Sequence, residues 1–288
     1  MTWQFSITGF GVGILVGMTG MGGGSLMTPI LILLFGFDPK MAVGTDILHG
    51  AVFKSFGAER HRMLGTVHAR LALWMLLGSA PMSLVGVQIA SGLGDGTDSL
   101  MGKIVGGALI FGGLGFVAKT FLTGRADDAP FLLATRDKLI ALMIGGACGF
   151  VVGLTSVGSG TFFGLAMLLI YPLTARKIVG TDVFHAAALL WVAGASHLAH
   201  GNVDLHAMGW LLVGSIPGVL LGSQMSIRIP DTALRIGFAV VLILSGIKLV
   251  GVPHASLVIV ISLAVATAAL AFYWVRTLLA RRVEPVPD

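Results

Sequence analysis

Two short segments rich in glycine and hydroxyl residues could bind an anion. The first reads GMTGMGGGSLMTP over residues 17–29, and the second reads GLTSVGSGTFFGL over residues 153–165. Backbone N–H groups that precede a helix, together with the partial positive charge at its N-terminus, can cradle a negative charge. The alternative is that the glycines only let helices cross closely. On the first interpretation, the candidate anion ligands are Thr19, Gly22, Gly23, Gly24, Ser25, Thr155, Gly158, Ser159, Gly160 and Thr161.

An aspartate and a histidine follow each glycine-rich segment with the same spacing. Asp46 and His49 lie in one apolar stretch, and Asp182 and His185 lie in another. Residues three apart share a helix face, and ionisable residues deep in an apolar helix are costly and usually functional. Two roles stay open: a proton relay, or hydrogen bonds that brace the glycine-rich loop.

Other polar side chains give weaker signals. Lys54 lies toward the end of its apolar segment, where we expect its ammonium group to reach the membrane interface. The single cysteine, Cys148, excludes a CxxC metal site, and we expect no metal, cofactor or catalytic residue. The remaining histidines lack metal-ligand spacing and fall in loops or at loop edges, so we expect solvated side chains at His61, His68, His197, His200 and His206.

The composition is that of a membrane protein. Of the 288 residues, 56% are hydrophobic and only 11% are charged, whereas a soluble domain carries about 25% charged residues. Long apolar stretches recur along the chain, so the lipid bilayer is the expected solvent. The net charge of +5 comes from basic residues in short loops, where they orient membrane proteins. We therefore expect no nucleic-acid partner.

The chain contains an internal repeat, with an offset of 136 residues, the difference between 46 and 182. The run Val-Gly-Thr-Asp occurs at residues 43–46 and again at 179–182, and histidine, tryptophan, proline and glutamine positions match in the same register. We predict four regions: a first membrane repeat over 1–122, a polar cytoplasmic linker over 123–138, a second and inverted membrane repeat over 139–250, and an extra transmembrane helix with a cytoplasmic tail over 251–288.

Each repeat is predicted to begin with two short apolar pieces around its glycine-rich segment and to continue with three full-length segments. A piece of about 13 residues covers about 20 Å, which is less than the roughly 30 Å hydrocarbon core, so each pair is re-entrant or a broken helix. The short pieces span about 5–18, 25–37, 139–153 and 161–173, and the long segments about 41–58, 70–90, 100–122, 178–196, 207–225 and 236–250.

Loop charges indicate that the two repeats face opposite sides of the membrane. The loop at 59–70 is strongly basic, but its counterpart at 195–206 has no lysine or arginine. The next pair reverses this contrast, because 91–99 is acidic and 226–235 carries two arginines. Equivalent loops of opposite bias are expected for inverted repeats. The positive-inside rule then places the N-terminus outside and the C-terminus in the cytoplasm.

The run Gly20-Met21-Gly22-Gly23-Gly24 with Pro29, and its second copy, resembles the signature of the TauE/SafE family of sulfite exporters. The resemblance covers residues 5–250, although the second copy has serine at 156 and 159 in place of glycine and leucine at 165 in place of proline. It implies export, or less often uptake, of sulfite, sulfonates or related sulfur compounds across a bacterial cytoplasmic membrane.

These features predict an all-α polytopic secondary transporter that exports a small sulfur-containing anion by alternating access. No GxxxxGK[ST] motif for ATP is present. The alternatives are an anion channel, a proton-coupled uptake carrier, a cation carrier that uses Asp46 and Asp182, and an intramembrane enzyme. The sequence leaves the exact substrate, coupling to protons and a homodimer open.

Overall fold

The computed structural model describes residues 2–19, 24–93, 96–122, 131–225 and 231–257. Only the backbone is described at a few helix ends, which include Thr19, Gly24 and Ser25. The predicted ligands Gly22 and Gly23 lie outside the described residues, as do the first half of the linker, 123–130, and most of the extra C-terminal segment.

The described ranges confirm an all-α polytopic architecture. They contain ten helices: α1 (Thr2–Thr19), α2 (Gly24–Phe35), α3 (Pro39–Met63), α4 (Ala69–Gly92), α5 (Asp98–Phe121), α6 (Thr135–Thr155), α7 (Phe162–Ile170), α8 (Ala175–Ala199), α9 (Leu205–Met225) and α10 (Asp231–Val250). The six predicted long segments correspond to α3, α4, α5, α8, α9 and α10, each with ends a few residues from the predicted ones.

Five helices of the described part are long and apolar enough to cross a membrane, namely α4, α5, α6, α8 and α9. α6 has 21 residues and is therefore longer than the predicted short piece, whereas α7 has only 9. α1 and α2 have 18 and 12 residues. Each glycine-rich segment thus follows a long helix and precedes a short one, so the two pieces of each pair are unequal.

The helices of the two repeats pack against each other in matching pairs. α1 runs along α9, α4 along α6, α3 along α8, and α5 along α10. At the offset of 136 residues, α1 corresponds to α6 and α9 corresponds to α4, so the same contact is made twice.

Glycines allow these helices to approach closely. A Cβ at Gly13 would overlap the backbone of Ser215, and a Cβ at the equivalent Gly149 would overlap the backbone of Ser79. The described residues between Thr2 and Val250 form one compact unit. The residues discussed below belong to this unit.

Candidate functional site

The second glycine-rich segment forms a buried loop between α6 and α7, which we call the α6–α7 loop (residues 156–161). Ser156 ends α6 in the left-handed region with φ 62°, and Gly158 and Gly160 have φ 122° and 100°. Glycine suits the last two positions because it carries no Cβ penalty at positive φ. All six residues are buried. Non-helical backbone at membrane depth is tolerated only where protein or a wet cavity surrounds it.

Two buried lysines contact the α6–α7 loop. Lys54 of α3 is 2% exposed, and its Nζ donates to Ser159 Oγ at 2.7 Å. Lys119 of α5 is 8% exposed, and its Nζ donates to the carbonyl oxygen of Gly160 at 2.7 Å. The expectation that Lys54 reaches the membrane interface is therefore wrong. Two ammonium groups lie instead on consecutive residues of the loop.

Asp46 joins three parts of the molecule through hydrogen bonds to one carboxylate oxygen. Its Oδ2 accepts from Thr28 Oγ1 at 2.5 Å and from the Thr28 backbone N–H at 3.2 Å, both in α2. The same oxygen accepts from Ser156 Oγ at 2.9 Å, in the other repeat. These contacts are the ones that the bracing interpretation of Asp46 requires, because they tie α2 and α3 to the α6–α7 loop.

Asp182, the counterpart of Asp46, has different neighbours. Its charged neighbours are Lys119 and Lys54, and its carboxylate accepts a hydrogen bond from the backbone N–H of Gly160. A Cβ at Gly164 would meet both Lys119 Nζ and Asp182 Oδ2, so both atoms lie against this glycine. Gly164 is the counterpart of Thr28 at the offset of 136. The ammonium group thus occupies the place that a threonine side chain fills beside Asp46.

The two predicted histidines bridge the repeats in matching ways. His49 Nε2 lies 2.9 Å from Ser215 Oγ of α9, and His185 Nε2 lies 2.8 Å from Ser79 Oγ of α4. Within the described ranges, Asp46 Oδ1 and Asp182 Oδ1 have no hydrogen-bond partner. A direct aspartate–histidine relay is thus not formed in this conformation, and each histidine holds a neighbouring helix instead.

The glycine and threonine of the Val-Gly-Thr-Asp run position the loops that follow α3 and α8. Thr45 Oγ1 accepts from the Asp204 N–H, and Thr181 Oγ1 accepts from the His68 N–H, both at 2.9 Å. A Cβ at Gly44 would overlap the carbonyl oxygen of Asn202. Each run therefore anchors the start of a helix in the opposite repeat, because Asp204 precedes α9 and His68 precedes α4.

The hydroxyl groups of the other predicted ligands differ in the hydrogen bonds that they already form. Thr155 Oγ1 donates to the Val151 carbonyl at 2.7 Å, so its proton is held within α6. Ser159 Oγ accepts from Lys54, which leaves the serine proton available to another acceptor. Thr161 Oγ1 is buried and has no hydrogen-bond partner among the described residues. Gly158 and Gly160 shape the loop.

The loop histidines differ in their surroundings. His197 is fully buried and its Nε2 lies 2.9 Å from the Gly153 carbonyl oxygen, so the expectation of a solvated side chain is wrong there. His61 and His68 are half-buried, with contacts to Thr66 Oγ1 and to the Phe131 carbonyl. His200 and His206 are exposed, as predicted. In the part of the chain that the structure describes, no three His, Cys, Asp or Glu residues are grouped as a metal site would require.

The lysines are the site residues that sequence reasoning missed. A lone lysine near the end of an apolar segment looks the same whether it extends to the interface or turns inward. One signal was available for Lys54, because its counterpart at the repeat offset is the apolar residue Leu190. A charge present in only one repeat indicates a local partner that the other repeat lacks.

Comparison with known proteins extends these observations. The family model described as sulfite exporter TauE/SafE matches residues 5–249. The probable membrane transporter protein YjnA of Bacillus subtilis (strain 168) is 34% identical over 255 residues, covering 87% of this chain and all of the relative.

More distant relatives carry the same general description. The probable membrane transporter protein YdhB of Bacillus subtilis (strain 168) is 25% identical and covers 78% of this chain and 91% of its own. The probable membrane transporter protein MJ0441 of Methanocaldococcus jannaschii is 24% identical, with 77% and 84% covered. No solved structure matched the chain. The family match over nearly the whole length and the buried loop between apolar helices lead to one conclusion: this chain is a multi-pass membrane transporter of the TauE/SafE sulfite exporter family.

Proposed function

We propose that the protein is a secondary transporter that exports a small sulfur-containing anion, sulfite or an organosulfonate, across the bacterial cytoplasmic membrane by alternating access. The observation that carries the proposal is the pair of buried lysines, Lys54 and Lys119, on the α6–α7 loop. A family of sulfite exporters and the glycine-rich loop support the same substrate class.

Buried lysines suit an anion that must leave water. Moving an ion into a low-dielectric interior costs several kcal/mol unless opposite charge and hydrogen bonds compensate. Each ammonium group has three N–H donors, and within the described residues each forms one hydrogen bond, to Ser159 Oγ or to the Gly160 carbonyl. The remaining N–H groups, the Ser159 proton and Thr161 Oγ1 are donors for the oxygens of an oxyanion.

The position of the loop supports alternating access. Residues of the second repeat, Ser156 and Ser159, contact Asp46 and Lys54 of the first repeat. A relative movement of the repeats would therefore change the surroundings of the loop directly. The loop is buried in the present conformation, as an occluded intermediate requires.

Export of an anion is favoured without a coupling ion. An interior-negative potential of 100 mV favours exit by about 2.3 kcal/mol for each negative charge. Uptake against this potential would need another energy source. We therefore propose that the membrane potential and the anion gradient together drive export. The N-terminus then lies outside and the C-terminus lies in the cytoplasm.

Flux into and out of liposomes tests the proposal. The purified protein is reconstituted, and movement of sulfite, thiosulfate, sulfoacetate and taurine is measured with and without a pH gradient. Lys54→Gln and Lys119→Gln should each lower flux at least about tenfold, because a charge-assisted hydrogen bond to a bound anion contributes about 1.5–3 kcal/mol. The matched control is Lys103→Gln, since Lys103 lies on α5 with Lys119 but is exposed.

The outcomes separate the candidate functions. Saturable flux and exchange of internal for external anion support a carrier, whereas flux that does not saturate indicates an anion channel. Wild-type flux from both lysine variants would remove the site assignment. Absence of flux for every anion of the panel would contradict the proposed substrate class.

A further inference from the structure

Asp182 and Asp46 occupy equivalent positions but are held by different chemistry. Asp46 accepts hydrogen bonds from the hydroxyls of Thr28 and Ser156. Asp182 is buried, and its charged neighbours are Lys119 and Lys54. Lys54 has both Asp182 and Asp46 as charged neighbours. Asp182 is therefore the carboxylate that both lysines of the candidate anion site already face.

We propose that Asp182 is the resident counter-ion of Lys54 and Lys119, and that the transported anion competes with it for these two ammonium groups. The inference rests on the proposed function, since it names the residue that sets the anion affinity of the same site. Within the described ranges Asp182 Oδ1 has no hydrogen-bond partner. The Asp182 carboxylate accepts a hydrogen bond from the Gly160 backbone N–H and has the two lysines as charged neighbours, without hydroxyl bonds of the kind that fix Asp46.

The charges of the site explain why such a competitor is useful. Two lysines buried without a nearby carboxylate would bind an oxyanion tightly and release it slowly. With Asp182 beside them, the lysines are partly neutralised when the site is empty, and the carboxylate repels a bound anion. Binding must be strong enough for entry and weak enough for exit. Asp182 supplies the second condition, because its Oδ2 and Lys119 Nζ both lie beside Gly164.

The test measures anion affinity in two ways that do not depend on each other. Half-saturating sulfite concentration is taken from liposome flux, and sulfite binding is taken from the rise in melting temperature of the detergent-purified protein. Asp182→Asn should lower the half-saturating concentration by at least about tenfold, because one negative charge close to the site is removed in a low-dielectric region. Maximal flux should fall as release slows.

Two further variants keep the test decisive. Asp46→Asn should change the sulfite affinity less than Asp182→Asn, because Asp46 is held by the hydroxyls of Thr28 and Ser156 and has only Lys54 of the two lysines as a charged neighbour. The double variant Asp182→Asn/Lys119→Gln removes one buried charge of each sign. It should therefore fold even if the single variant Asp182→Asn does not. Its affinity should return to within a few-fold of wild type, whereas Lys119→Gln alone should bind sulfite at least about tenfold more weakly.

The failures are distinguishable. If wild-type protein neither transports nor is stabilised by any anion of the panel, the proposed function is wrong. If wild-type protein responds but Asp182→Asn binds sulfite equally or more weakly, the counter-ion assignment is wrong and the proposed function stands. An affinity of the double variant equal to that of Lys119→Gln alone would also overturn the counter-ion assignment.

Discussion

At the scale of single residues, one difference between the repeats gives the two buried aspartates their separate surroundings. Position 28 is threonine in the first repeat, and its counterpart at 164 is glycine in the second. The threonine hydroxyl donates to Asp46, whereas the space beside Gly164 holds the ammonium group of Lys119. The absence of a side chain at Gly164 therefore leaves the space that the ammonium group of Lys119 occupies.

Gly164→Ala should reduce anion flux several-fold without unfolding the protein. The added methyl group would meet Lys119 Nζ, which is the flexible end of a side chain and can move, so the main effect falls on the lysine. Flux in liposomes measures the loss of transport, and the melting temperature shows whether the variant is still folded. Gly107→Ala is the control, because nothing lies within 4 Å of its added carbon; equal flux from both variants would contradict the prediction.

Loss of the threonine anchors should cost equal stability in the two repeats. Thr45→Val and Thr181→Val each remove the acceptor of one backbone N–H, at Asp204 and at His68. A lost hydrogen bond to a partly buried N–H costs about 1–3 kcal/mol. Thermal unfolding in detergent should show a similar decrease for both variants. A decrease for only one would mean that the two contacts are not equivalent.

At the scale of the helices, glycines set the separation of the tightly packed pairs. In membranes, small residues let helix backbones approach closely. The α4–α6 pair depends on Gly78, Gly86, Gly145, Gly149 and Gly153, and the α1–α9 pair on Gly9, Gly13, Gly214, Gly218 and Gly222, because a Cβ at each would overlap the backbone of the facing helix.

Gly149→Ala should destabilise the transporter strongly. Its Cβ would stand 2.5 Å from Ser79 Cα, which is backbone and can move only with α4 as a whole. Overpacking of this kind costs about 1–3 kcal/mol and occasionally more. Fluorescence-detected size-exclusion chromatography after heating measures the loss. Gly209→Ala of α9, with nothing within 4 Å, should behave like wild type; a similar loss there would show that the effect is not contact-specific.

The helices could be predicted from the sequence better than the site could. Apolar length and the repeated register indicated six long segments, and these correspond to observed helices. The length of α6 was underestimated because its first four residues, 135–138, are mostly polar and were assigned to the linker. The inward direction of Lys54 depends on Ser159 of the other repeat. The sequence around Lys54 does not reveal this partner, because Ser159 is 105 residues away along the chain.

The aspartates and histidines were easier to find, because they recur with the same spacing in both repeats. Their partners were not predictable, since Ser215 and Ser79 lie far along the chain from His49 and His185. Only the hydrogen-bond partners of Asp46 can distinguish its two proposed roles, a proton relay and bracing of the glycine-rich loop. The observed bonds to Thr28 and Ser156 show how it can brace the loop.

At the scale of the whole molecule, the repeat contacts and the loop charges predict opposite membrane orientation of equivalent residues. Met63 is 73% exposed at the end of α3, and its counterpart Ala199 is exposed at the end of α8. Single cysteines at these positions, in a Cys148→Ser background, report their side of the membrane. A membrane-impermeant thiol reagent added to intact cells should label Ala199→Cys but leave Met63→Cys unlabelled.

Permeabilised cells supply the control for this prediction, because both cysteines should then react. Labelling of both positions in intact cells, or of Met63→Cys alone, would contradict the proposed orientation. Labelling of Ala199→Cys alone would support inverted repeats and the proposed position of the C-terminus in the cytoplasm.

The pairing of α1 with α9 and of α4 with α6 has a consequence for biosynthesis. When the first repeat leaves the ribosome, the partner helices of α1 and α4 have not yet been synthesised. The glycine-lined faces of α1 and α4 are then exposed to lipid until α9 and α6, respectively, are inserted. Neither repeat can reach its native packing alone.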